Sequence, residues 1–315
     1  MIAHRKIIVW GAAVFLFLAG CQKSPSLKPT ATPTPMVERK LSAGGMDRSY
    51  LLYIPAKALA AASVPVVLVL HNSGSTPEAI AKITGFNVKA DSEGFVVVYP
   101  RGTSSQQATD KFWWNSGLCC GSAQKNKVDD VAFIRALLAD LATVVPVDGR
   151  RIFATGLYTG ALMSYRLGCE MADRIAAVGA VAGTQNVETC RPAQPVSIID
   201  IHGTADAVVP YAGGVGNSVK NFSFASVKDT INFWITADQC PGTVVREESG
   251  PVVHEAYSPC SDGTAVELYT IQDGTHVWPG GTQTGTRVAK SASTINATNI
   301  IWDFFLNHPK PEHAS

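Results

Sequence analysis

The stretch Arg151-Ile-Phe-Ala-Thr-Gly-Leu-Tyr-Thr-Gly-Ala-Leu-Met-Ser-Tyr165 decides how the rest of the chain is read. Arg151 to Thr155 has the apolar, β-rich character of a strand, and Ala161 onward reads as a helix. Between them Gly156-Leu157-Tyr158-Thr159-Gly160 has the spacing of a nucleophile elbow, G-x-S-x-G, in which a sharp strand-to-helix turn lifts a serine above a sheet. The central residue here is Tyr158. The frame of such an elbow is present, with a phenol in the serine's place.

Outward from this stretch, near-continuous apolar runs alternate with helical periodicities. Arg48–Ile54, Val64–Leu70, Phe95–Tyr99, Ile175–Val181, Val196–Ile201 and Ala265–Ile271 read as strands. Val128–Val144 places Val131, Ile134, Leu137, Leu138 and Leu141 on one helical stripe. Helices are also expected from Gly160 to Met171, Phe224 to Ala237 and Ile295 to Leu306. This alternation predicts an α/β fold, a mainly parallel sheet covered by helices on both faces. Sites in such sheets lie at the carboxyl ends of strands. Four polar clusters fall there: His71-Asn-Ser-Gly74, the elbow, His202-Gly-Thr-Ala-Asp206 and Asp273-Gly-Thr-His276. No internal repeat occurs.

The 315 residues are 46% hydrophobic with a formal net charge of +1. With no basic stripe, nucleic acid is not expected as a partner. The N-terminus, Met1-Ile-Ala-His-Arg5-Lys6 followed by the apolar run Ile7–Leu18, has the pattern of an export signal over residues 1–20. It ends Leu18-Ala19-Gly20-Cys21, which resembles a bacterial lipobox with Cys21 as the lipidated mature N-terminus. Gln22, in place of Asp, does not signal inner-membrane retention, so anchoring at the outer membrane or the cell surface, or an extracellular location, is expected. Residues 21–40, rich in Pro, Ser, Thr and Lys, read as an extended tether, and residues 41–310 as the folded domain. The remaining cysteines, Cys119, Cys120, Cys169, Cys190, Cys240 and Cys260, are even in number, as disulfides in an exported protein would be. Cys240 and Cys260 flank a hairpin-like segment and are expected to pair. Vicinal Cys119 and Cys120 are each expected to pair elsewhere, with Cys169 and Cys190. No C-x-x-C pair points to zinc, and no metal or cofactor is expected.

In chain order, position 158, Asp206 and His276 follow the sequence nucleophile, acid, histidine. Asp206 would orient the histidine tautomer, His276 would act as general base and then acid, and backbone N–H groups near Ser73 and Thr159 would form an oxyanion hole. Alone, Asp206 is as readily a turn aspartate and His276 a loop histidine; together, at strand ends and in this order, they read as a retained pair.

From about Arg48 to Phe305 the chain resembles the bacterial esterase/polyhydroxybutyrate-depolymerase family, which includes feruloyl-esterase-like members. The stretches that carry the resemblance are Leu70-His-Asn-Ser-Gly-Ser75, Gly94-Phe-Val-Val-Val-Tyr-Pro100, Trp114-Asn-Ser-Gly-Leu-Cys-Cys-Gly121, Val128-Asp-Asp-Val131, Tyr165-Arg-Leu-Gly-Cys-Glu170, His202-Gly-Thr-Ala-Asp206 and His276-Val-Trp-Pro-Gly280. The resemblance implies an α/β-hydrolase fold, export, and a serine hydrolase of polyester or phenolic ester bonds, with Asp206 and His276 as acid and histidine. It also places Trp114 and Trp278 in pocket-lining stretches, where they either contact a ligand or belong to the core. The family's elbow runs Gly-Leu-Ser-Asn-Gly-Gly against Gly156-Leu-Tyr-Thr-Gly-Ala161 here, and its His-Gly oxyanion loop is His71-Asn72 here.

These departures set the functional alternatives. Loss of a triad serine costs about 10⁶ in turnover, roughly 8 kcal/mol of transition-state stabilisation, and Asn72 adds a side chain where glycine lets backbone approach a ligand. An impaired hydrolase that retains a ligand pocket is the leading expectation. Tyr158 as an unconventional nucleophile is the second; its oxygen lies further from the backbone than a serine Oγ, and a histidine placed for serine would clash with the ring or face its side. Thr159 as a shifted nucleophile would have Leu157 on its strand side, a poor substitute for glycine. Ser73, Ser75 and Ser164 are poorer candidates. A non-catalytic surface lipoprotein that binds a ligand or partner is a third class. The expected ligand is a small or polymeric ester, and the expected state a monomer.

Overall fold

The computed structural model describes Met1 and residues 35–104, 111–282 and 294–312. The export signal, Cys21 and most of the tether lie outside the described residues. The chain divides into Met1–Pro33 and Thr34–Ser315, and the architecture below is that of the second unit.

Its elements run β1 (Val37–Ala43), β2 (Met46–Tyr53), α1 (Ala56–Leu59), β3 (Val64–Leu70), α2 (Pro77–Thr84), α3 (Phe86–Glu93) and β4 (Val96–Pro100). Then come α4 (Ser122–Lys125), α5 (Asp130–Leu141), β5 (Val147–Leu157), α6 (Thr159–Glu170), β6 (Ala177–Val181) and β7 (Ser197–Gly203). A small hairpin, β8 (Gly214–Val215) with β9 (Ser223–Phe224), precedes α7 (Val227–Ala237). The chain closes with β10 (Val245–Ser249), β11 (Val252–Tyr257), β12 (Val266–Ile271) and α8 (Ala297–Asn307).

The main sheet has the order β1-β2-β4-β3-β5-β6-β7-β12-β11-β10. The run from β4 to β12 is parallel throughout, and antiparallel pairs close both edges. Side chains alternate between faces along a strand, so a strand covered on both sides must be apolar at every position. In β3, Val64, Val66, Leu68 and Leu70 enter one core with α5, α6 and α7, while Val67 and Val69 enter the other with α2, α3 and α8. The expected mainly parallel sheet with helices on both faces is the observed one.

Several boundaries differ from the sequence reading. β1 begins at Val37, inside the stretch read as tether, because its backbone pairs with β2 from Val37↔Leu52 to Ala43↔Met46. α5 starts at Asp130 because the Asp129 side chain caps it, accepting from Ala132 N–H at 2.9 Å. α7 starts at Val227, after the Ser226 cap, and Phe224 belongs to β9. Helices α2 and α3 were not anticipated. Cys240–Cys260 is bonded across the β10–β11 hairpin segment, as expected. The pairing expected for the other four is corrected: Cys119 joins Cys120, and Cys169 joins Cys190 with Cα atoms 5.1 Å apart. The end of α6 and the loop that carries Cys190 meet directly, which leaves the vicinal pair to each other.

Candidate active site

The elbow forms where β5 ends and α6 begins. Tyr158 sits between them at φ 55°, ψ −118°, a backbone geometry that non-glycine residues rarely adopt. Close packing dictates both flanking glycines. A Cβ on Gly156 would lie 2.7 Å from the Leu70 carbonyl oxygen, and one on Gly160 would collide with the same carbonyl group and come within 2.9 Å of the His71 oxygen. The start of α6 thus rests on the backbone at the end of β3. Tyr158 N–H donates to the Val181 carbonyl at 3.1 Å, which ties the corner to β6.

Asp206 follows β7 and His276 follows β12, and the parallel β7–β12 pairing carries them to the same carboxyl end of the sheet. His276 Nδ1 lies 2.8 Å from Asp206 Oδ2. Asp206 Oδ1 accepts from the N–H groups of Val208 at 2.8 Å and Val209 at 2.9 Å. Burial alone would raise the Asp206 carboxyl, but the hydrogen bonds of His202 and His276 outweigh it and hold the group well below the usual carboxylate range. The acid and histidine are therefore assembled as a pair.

Tyr158 is brought to that pair but is not hydrogen-bonded to it. Its ring meets the His276 ring edge-on, centroids 5.1 Å apart at 84°, with Phe224 at 6.4 Å on another side. The phenol oxygen lies 3.0 Å from Ser218 Oγ. Burial pushes the phenol pKa up; the Ser218 hydrogen bond partly opposes this and the Asp206 charge adds to it. The side chain is only 7% exposed. The histidine faces the side of the ring, as the reach of a phenol requires, and the hydroxyl stands beyond it.

The loop after β3 completes the site. Ser73 Oγ donates to Thr159 Oγ1 at 3.0 Å, joining the two positions expected to flank an oxyanion. Thr159 is buried, and Ser164 is turned into the helix, donating to the Gly160 carbonyl at 2.9 Å. Asn72 Oδ1 is buried with no hydrogen-bond partner among the described residues. His71 is fully buried. Gly102 N–H donates to its Nε2 at 3.0 Å, so Nδ1 carries the proton toward the Asn72 carbonyl at 3.0 Å. Burial pushes its pKa down to about 4. His71 is thus a neutral pin for the loop rather than a proton carrier.

Trp114 and Trp278 have no exposed surface, which fits the core reading of the two open to them. Trp114 packs on His71 and donates to its carbonyl at 2.9 Å; Trp278 donates to Thr298 Oγ1 at 2.9 Å. Both hold loops from behind. Ser218 and the part played by His202 escaped the sequence reading. Ser218 lies in the β8–β9 loop, where no pattern marks it, whereas His202 sits in plain view at the head of the Asp206 motif. Among the described residues no cluster of His, Cys, Asp or Glu could hold a metal ion.

Residues 48–219 match the family model described as Esterase PHB depolymerase. Feruloyl esterase B of Piromyces equi is 35% identical over 170 residues, covering 52% of this chain and 31% of that protein. A putative esterase of Nocardia uniformis subsp. tsuyamanensis is 26% identical over 275 residues, 81% of this chain and 77% of that protein. The chain thus spans about a third of the first relative and about three quarters of the second. Among solved structures, an acetyl xylan esterase from Aspergillus awamori superposes with a TM-score of 0.59 at 12% identity, covering 86% of this chain and 99% of that one. At that identity the likeness bears on the α/β-hydrolase fold alone.

Proposed function

Since this chain belongs to the esterase PHB depolymerase family, we propose that it is a relative of ester hydrolases whose own ester hydrolysis is lost or very weak, and which retains an ester-binding site beside Tyr158. One observation carries this reading. The atom presented at the elbow is a phenol oxygen hydrogen-bonded to Ser218, while His276 meets the Tyr158 ring edge-on, so the elbow hydroxyl is paired with Ser218 and not with the base. A burial-raised phenol is also a poor nucleophile, because it stays protonated at neutral pH. Tyr158, Asp206 and His276 are the altered nucleophile position, acid and histidine in this proposal, with Asn72, Ser73 and Thr159 around the oxyanion position.

A second reading, an active hydrolase with Tyr158 as nucleophile, is favoured by the intact 2.8 Å Asp206–His276 contact. Assays of the full chain on p-nitrophenyl and feruloyl esters separate the two. The parent protein is expected to show no turnover above background, and Tyr158→Ser to gain it, further increased by Asn72→Gly. Turnover by the parent that disappears in Tyr158→Phe would establish the second reading instead. Export and a lipid anchor at Cys21, with residues 21–40 as tether, belong to the same proposal. The signal-like N-terminus and the disulfides support them, and metabolic labelling with a fatty acid, lost in Cys21→Ser, tests them. The protein acts as a monomer in this proposal.

A further inference from the structure

We infer that His202 is a buried imidazolium, protonated on both ring nitrogens, which acts as a positioning residue for Asp206 alongside His276. The inference goes beyond the proposed loss of hydrolysis and stands whether or not the elbow turns over an ester.

His202 is the penultimate residue of β7, two residues after Asp200, so both side chains leave the strand on one face. Asp206 comes four residues later in the following turn. The side chains of Asp200, His202 and Asp206 have no accessible surface. His202 Nε2 lies 2.9 Å from the Val209 carbonyl oxygen, which only accepts, so Nε2 carries a proton. The same nitrogen is 3.4 Å from Asp206 Oδ2.

The other ring nitrogen decides the charge. His202 Nδ1 faces Asp200 Oδ1 at 3.7 Å. Both atoms are buried, and neither has a hydrogen-bond partner among the described residues. A bare Nδ1 would set a lone pair against a carboxylate oxygen, leaving two buried acceptors unsatisfied, which is costly in a dry interior. A proton on Nδ1 converts that opposition into an ion pair. It also places one cation between the two carboxylates.

The surrounding groups hold this arrangement in place. Tyr165 O–H, from α6, donates to Asp200 Oδ2 at 2.6 Å. The Val208 and Val209 amides fix Asp206 Oδ1. Tyr211 presents its ring to His202 with centroids 5.9 Å apart, its hydroxyl engaged by Thr270, and Glu255 acts on Tyr211 from β11. His276 reaches the cluster only through Asp206. Burial works against a charge on His202, and the two carboxylates outweigh it, raising the ring to about 10. The result is an Asp206 that stays ionised and directed at His276 with no contribution from residue 158.

The test is nitrogen NMR of the full chain labelled with 15N-histidine. At pH 8.5 an ordinary imidazole has lost its second proton. One of the seven histidines is expected to keep both, to vanish from the spectrum of His202→Gln, and to lose its second proton at lower pH in Asp200→Asn. Stability gives a second readout. A raised value means stability present below the unfolded value near 6.5 and lost as pH rises toward 10. The unfolding constant of the parent, relative to His202→Gln, is therefore expected to rise about tenfold per pH unit between pH 7 and 9. A spectrum with no doubly protonated ring at pH 8.5 overturns the inference, and so does one whose doubly protonated ring survives in His202→Gln. If His202→Gln does not fold, the parent spectrum and Asp200→Asn decide.

Discussion

The corner at Tyr158 supports a prediction whose sign runs against the usual rule. Its φ of 55° and ψ of −118° are close to the mirror image of the first corner of a type II turn. Glycine occupies that mirror region freely, whereas a Cβ costs about 1–3 kcal/mol there. Tyr158→Ala and Tyr158→Gly both remove a ring that is 7% exposed and packed on His276 and Phe224, at about 3–5 kcal/mol by analogy with other buried aromatic truncations. The two variants differ only in the Cβ. In an ordinary element glycine would be the less stable by about 0.5–1 kcal/mol. Here relief of strain exceeds that entropy cost, and Tyr158→Gly is expected to be more stable than Tyr158→Ala by about 1 kcal/mol. Urea titrations with a shared slope read this as a higher midpoint for the glycine variant. A midpoint for Tyr158→Gly equal to or below that of Tyr158→Ala would refute the strained corner.

Gly160→Ala drives a methyl group into the Leu70 carbonyl, which is expected to cost about 1–3 kcal/mol and to appear as a lower melting temperature. Replacing Cys240 and Cys260 by serine opens a bond across 20 positions; loop entropy puts the loss at about 3 kcal/mol, measurable as a lower denaturant midpoint in the variant than in the oxidised parent. Asp238 is fully buried, with Oδ1 accepting from Val196 N–H; burial raises it to about 7, partly opposed by that amide and by Lys310. The unfolded carboxyl ionises near 4 and the folded one near 7, so stability falls as pH rises through that window by about tenfold in the unfolding constant per unit. Asp238→Asn keeps the acceptor, and its unfolding curves are expected to lack that component of the pH dependence.

The sheet was legible because its central strands are buried on both faces and therefore apolar at every position; β3 and β4 are the clearest cases. The edges were not. β10 is exposed along its whole length, and β1 carries Glu38, Arg39 and Lys40 next to a proline-rich stretch, so composition hides a strand that backbone pairing creates. In α3 only Phe86 and Ala90 are buried, too few to set a period. In the site, Asp206 and His276 were readable from order and strand ends, because topology converts both into proximity. Ser218 was not readable, because its role depends on where a two-strand hairpin loop lies in space. Trp114 and Trp278 occupy motif stretches for what they hold up: the indole N–H groups bind His71 and Thr298 in the interior. Trp114 backs the loop after β3 through His71, and Trp278 packs on Phe86.

The elbow and the acid–histidine pair each have a structural reason to be where they are. Gly156 and Gly160 are required by the backbone of β3, and the positive φ at 158 follows from turning directly from β5 into α6 while the Tyr158 amide bonds β6. Asp206 closes its own turn through two amide hydrogen bonds and lies against buried His202. His276 then has a fixed partner with no help from residue 158. A fold can therefore keep the outline of a hydrolase site by packing and hydrogen bonding alone, and the outline by itself does not argue for turnover. What bears on turnover is the reach of the atom at 158 and the space at Asn72. If Tyr158→Ser gains hydrolysis, the Asp206–His276 geometry was maintained by folding forces alone, and the missing nucleophile was the dominant defect. If the serine variant folds and stays inert even with Asn72→Gly, the defect extends beyond the elbow and its oxyanion loop to the space that would take the ester.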